Sequence, residues 1–177
     1  MFAMKTRHVV GGLCLLAVPF LAAAAGGAHE HGVAHLSLVQ EGSTITLGFE
    51  SPLDSLVGFE HAPRTDQQKQ ALRQARAVLE NAGSVVAAAC VARAVTVEMP
   101  FGEAAHAGHD DHDKHADADA EYVFECVQPA ALDTVTVGLF KAFPRLQRID
   151  AEAATAAGQG KTVLRPAQAT WSLPPAR

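Results

Sequence analysis

Residues 33–50 read VAHLSLVQEGSTITLGFE, and their alternation decides the fold. Ala34, Leu36 and Leu38 fall on one side of an extended chain, with Val33, His35, Ser37 and Val39 on the other. Ile45, Leu47 and Phe49 repeat the pattern after Glu41, Gly42 and Ser43, which supply a turn. The stretch therefore predicts a β-hairpin with one apolar face to bury.

Pro52 ends the second strand, and Leu53, Leu56 and Val57 allow one helical turn before Gly58. Thr65-Asp66 reads as a helix start. Leu72, Ala75, Val78 and Leu79 recur at helical spacing, and Gly83 offers a C-terminal cap, which predicts a helix from Asp66 to Ala82. Cys90–Val97, Tyr122–Val127, Thr134–Leu139, Gln147–Ala153, Lys161–Leu164 and Ala169–Leu173 read as further strands. The expectation is an α+β fold, a mostly antiparallel sheet packed with one long helix.

The chain opens with Lys5 and Arg7, then an apolar run from Val9 to Leu21, then small residues from Ala22 to Ala28. That order is a secretory signal peptide over residues 1–28, leaving a single domain over residues 29–177. The run falls short of the roughly 20 apolar residues a membrane span needs. No membrane attachment is expected after cleavage, and the periplasm is the expected location. Cys14 follows Leu13, not the small residue that precedes an acylated cysteine, and leaves with the leader. Cys90 and Cys126 remain, an even pair in an exported protein, and predict a disulfide.

Charge is unevenly placed. Losing Lys5 and Arg7 takes the formal net charge from −5 to −7, and residues 102–121 alone carry seven acids against Lys114. The rest is near neutral and has no basic patch for nucleic acid. Residues 103–121 read EAAHAGHDDHDKHADADAE: His106, His109, His112 and His115 recur every third residue among Asp110, Asp111 and Asp113. Imidazole nitrogen and carboxylate oxygen are ligands for divalent zinc, copper and nickel. So few apolar side chains cannot fold by burial, which predicts a disordered metal-binding loop over residues 102–121. A soluble acidic insertion would need no regular histidines.

His29, His31 and His35 form a second cluster. In an extended strand, residues 29, 31, 33 and 35 share one face while Leu36 and Leu38 pack on the other, so three imidazoles would be presented together. Cleavage after Gly26 would also place His29 third from a free amine, a square-planar nitrogen set suited to Cu²⁺ or Ni²⁺. His61, beside Glu60, is a candidate ligand or a support for one. An enzyme is not expected. His29-Glu30-His31 lacks the second histidine of HExxH, and no nucleophile and base are paired by motif.

HEHGVAHLSLV (residues 29–39) after a leader, LDSLVGFEHAP (residues 53–63), a helix, and an HDE-rich stretch together resemble the ZrgA-type periplasmic zinc-regulated proteins. The resemblance spans nearly all of the mature chain. It implies a periplasmic Zn²⁺-binding protein that helps a zinc ABC importer acquire metal. It also implies that His106–Glu121 is the HDE region and that His29, His31 and His35 are its opening motif. The HDE stretch is short for that type.

Overall fold

The computed structural model describes residues 30–87, 90–101 and 116–173. The leader and the candidate ligands His29, His106, His109, Asp110, Asp111, His112, Asp113 and His115 lie outside the described residues.

The hairpin forms as β1 (Val33–Glu41) and β2 (Thr44–Pro52), paired so that Leu36 faces Phe49 and Glu41 faces Thr44. Gly42 takes a left-handed φ of +62° in the turn, where a side chain would be strained. β2 runs into a short helix, α1 (Leu53–Val57), which closes on Gly58. The helix α2 (Asp66–Glu80) starts at Thr65, whose hydroxyl accepts from the Gln68 N–H at 3.2 Å. It ends two residues before the expected boundary. Gly83 lies in a 3₁₀ turn beyond it instead of capping it.

Three strands follow: β3 (Val85–Ala87), β4 (Cys90–Glu98) and β5 (Asp117–Cys126). After them come β6 (Thr134–Val137), α3 (Leu139–Ala142), β7 (Arg148–Thr155), β8 (Gly158–Leu164) and β9 (Thr170–Ser172). The larger sheet has the order β4-β5-β2-β1-β7-β8 and the smaller β3-β6-β9. The pairings are mostly antiparallel, as expected, with β1 and β7 the parallel pair that makes the larger sheet mixed. One expectation needs correcting: the helical part is split among α1, α2 and α3 instead of resting on one helix. Segments distant in sequence (33–39 and 148–154) meet in that parallel pair, a union no local periodicity encodes.

One face of the large sheet is apolar. Leu36, Leu38, Ile45, Leu47, Phe49, Tyr122, Phe124 and Ile149 are buried in a core shared with Val135, Val137 and Trp171 of the small sheet and with Leu72 and Leu79 of α2. The alternate side chains of the same strands point to the opposite face, where His35, Ser37, Glu50 and Asp119 are exposed.

Candidate metal centre

That open face carries the chemistry. Strand register lines up one residue from each of five adjacent strands: Glu98 opposite Asp119, Asp119 opposite Glu50, Glu50 opposite His35, and His35 opposite Asp150. Neighbouring strands stand about 4.8 Å apart, so three carboxylates, an imidazole and a fourth carboxylate form a continuous row. Like charges set opposite each other repel. The Asp119 carboxyl is accordingly held above its usual range, first by partial burial and then by Glu50, Asp117 and Glu98. An open groove of about 810 Å³ runs along this row, lined by His35, Glu50, Asp119, Asp150, Glu152 and Lys161. Lys161 is taken by Glu152 at 2.8 Å, so the row keeps its negative excess.

The row corrects the boundary of the acidic loop. Asp117, Asp119 and Glu121 belong to β5, and the side chains of Asp119 and Glu121 are exposed on the open face. The scarcity of large apolar side chains places them in the loop by sequence, and acids are in addition poor strand formers. Pairing with β2 and β4, and the burial of Ala118 and Ala120 between them, override that preference.

The second cluster lies just outside the sheet. His31 is not on β1 and shares no strand face with His35. The chain turns at Gly32, whose φ is +81°, and β1 begins at Val33. The turn is tightly fixed. The Gly32 N–H donates to the buried Ser55 hydroxyl at 2.8 Å, and the Gly32 carbonyl accepts from the Gln147 and Arg148 N–H groups at 2.8 and 3.0 Å. His31, itself exposed, is thereby held over α1. Its Nδ1 stands 3.5 Å from Asp54 Oδ2 and its Nε2 3.4 Å from Glu60 Oε1. Arg145 backs Asp54, with Nε donating to the Asp54 carbonyl at 3.1 Å and Nη2 3.5 Å from the carboxylate.

His61 does not join this group through its Nδ1. That nitrogen donates to the Ala62 carbonyl at 2.8 Å, and the ring stacks on Phe59 with centroids 5.3 Å apart. Cys90 and Cys126 face each other across β4 and β5 and form the expected disulfide. Glu50, Asp54, Glu98 and Asp150 were not singled out from sequence. A lone acid in a strand or first helical turn carries no local signal, and only pairing gathers them.

All of these elements meet at one end of the large sheet. β1 and β7 begin there, β2 and β4 end there, and β5 begins there opposite Pro52. The Leu53 N–H donates to the Ala116 carbonyl at 2.8 Å, which ties the residue following the His/Asp-rich segment to the start of α1. Among the described residues, no three His, Cys, Asp or Glu side chains are grouped to hold a metal ion by themselves. The donor types still suit zinc, which accepts imidazole and carboxylate. A dication here would take at most two ligands from the described residues and complete its shell from water or from residues outside them.

No curated relative matches the chain. A family match covers residues 28–173, from before the first histidine of the opening cluster to the end of the last strand, and the chain belongs to the ZrgA family of zinc uptake proteins.

Proposed function

We propose that the protein captures Zn²⁺ in the periplasm, after removal of residues 1–28, and passes it to a zinc ABC importer without catalysing a reaction. The observation that carries this reading is the convergence at one sheet end. The His31–Asp54–Glu60 group, the Glu98-to-Asp150 row and both flanks of the His/Asp-rich segment meet there. The repelling carboxylates raise the local concentration of dications at the place where imidazoles are offered. His106, His109, His112 and His115 supply further nitrogens from the segment rooted at that end. Partly open, water-completed coordination suits hand-over, because an exchangeable ligand lets a partner displace the protein stepwise. The leader-like sequence of residues 1–28 and the two cysteines support export.

Calorimetric zinc titration tests the reading on three proteins: the mature chain, a variant lacking residues 102–115, and the His29/His31/His35 triple alanine variant. The mature chain is expected to bind more zinc than either variant. A mature chain that retains no zinc at micromolar metal would overturn the reading.

A further inference from the structure

The larger sheet is covered on one face only. α2 and the smaller sheet share the core on that side, whereas on the other Val39, Glu121 and Glu152 are exposed together with the acidic row. Register sorts this open face into bands. Two residues along each strand from the acidic row lie Glu121, Gly48, Ser37 and Glu152. Two residues further lie Ala94, Val123, Thr46, Val39 and Ala154, a band without charge. Val39 is 43% exposed, a large apolar side chain that the fold leaves in water. Gly48 and Ser37 form a dip between the bands. A Cβ at Gly48 would meet Ser37 Oγ at 2.8 Å, so the floor there stays bare. Nearby cations are already engaged. Lys161 holds Glu152 at 2.8 Å, and Arg148 pairs with Asp150 and Glu30, both at 3.0 Å. None of the ion pairs among the described residues reaches Glu50, Glu98, Asp119 or Glu121.

We propose that the open face docks a protein partner through an apolar ridge flanked by lysine or arginine. The ridge lies on the uncharged band, and its cations reach the carboxylates of Glu121, Asp119 and Glu50 beside it. Docking of this kind builds on the hand-over part of the proposed function but needs no bound metal, so it stands or falls apart from zinc capture. Charge selects the occupant, because opposed potentials steer encounter and like charges across an interface are penalised. A second copy laid face to face would set carboxylates on carboxylates, and an anionic lipid surface would be repelled in the same way. Size agrees with a partner that lets go. Six strands about 4.8 Å apart span about 24 Å, and six residues along a strand cover about 20 Å, a patch of roughly 500 Å². Transient contacts bury under about 600 Å² on each partner, whereas stable complexes bury about 800 Å².

Site-specific photo-crosslinking in cells expressing the full chain tests the docking face. A benzophenone side chain is placed at Val39, Thr46 or Ala94 of the band, and at Gln70 and Thr136 as controls, which are exposed on α2 and β6. The three band positions are expected to join one and the same protein, at higher yield than either control. Sequencing of the joined peptide is expected to show apolar residues flanked by lysine or arginine. Glu121→Lys and Val39→Arg should each lower the yield at Thr46 about tenfold, with circular dichroism and an intact Cys90–Cys126 bridge showing that both variants fold. Equal adducts at Gln70 and Thr136, adducts spread over unrelated proteins, an adduct of two copies of the chain, cross-linked lipid, or a joined peptide rich in acids would each overturn the proposal. So would the absence of any adduct from the band, or wild-type yield in either variant. Zinc retention is read separately by calorimetry, and none of these outcomes alters it.

Discussion

Gly32 shows how one residue can carry a whole site. A Cβ there would come within 3.2 to 3.3 Å of the Gln147 side chain and the Arg145 carbonyl, at a φ that L side chains rarely adopt. Gly32→Ala is therefore expected to cost about 1–2 kcal/mol in chemical denaturation and to weaken zinc binding at His31 as the turn shifts. Ser55 is coupled to the same turn. Ser55→Ala leaves the Gly32 N–H buried without its acceptor and is expected to destabilise by about 1–3 kcal/mol, read by the same unfolding curves. Neither residue invites attention in the sequence. A glycine between a histidine and a valine, and a serine inside a short apolar turn, acquire meaning only when α1 and the start of β7 close around them.

At the scale of elements, β4 and β5 hold the two ends of the design. Their far end is pinned by Cys90–Cys126, and their near end carries Glu98 opposite Asp119. The bridge closes a loop of 36 residues, for which chain entropy predicts a stabilisation of about 4 kcal/mol. Cys90→Ser with Cys126→Ser should lower the thermal midpoint markedly, and reduction of the native protein should do the same. Asp119 works in the opposite sense. Its folded-state carboxyl titrates above its ordinary range, so the charged form carries a stability penalty that is present at neutral pH and relieved as pH falls through the raised value. Asp119→Asn should raise the thermal midpoint of chelator-treated protein by a gain under about 1 kcal/mol, discounted because the residue is exposed. Excess zinc should shrink that gain, because the cation offsets the same repulsion.

For the molecule as a whole, affinity for zinc should track the protonation of imidazole. The ring ordinarily titrates near about 6.5, and its protonated form cannot ligate, so binding should weaken steadily between about pH 7.5 and about pH 5. Binding that is flat across that range would argue against histidine ligation altogether. The opening hairpin, the start of the long helix at Thr65 and most strand positions were legible in the sequence, because each follows from side-chain period and local turn chemistry. The pairing of cysteines was legible from the even number left outside the leader-like stretch of residues 1–28. His31 and His35 were visible as ligand types, but their grouping was misread. Strand periodicity extrapolated through Gly32 puts them on one face, while the left-handed turn separates them.

The donor chemistry was set by sequence alone: imidazoles and carboxylates concentrated in residues 29–35 and 103–121 of a strand-rich chain, and two cysteines placed to bridge. Only the tertiary structure decided which donors meet. Parallel pairing of β1 with β7 sets His35 beside Asp150, antiparallel pairing sets Glu50, Asp119 and Glu98 in line with it, and the packed turn at Gly32 brings His31 between Asp54 and Glu60. The physical reason is range. Periodicity and capping act over a few residues, whereas register and burial join residues more than a hundred apart, and a metal site is made of such joins.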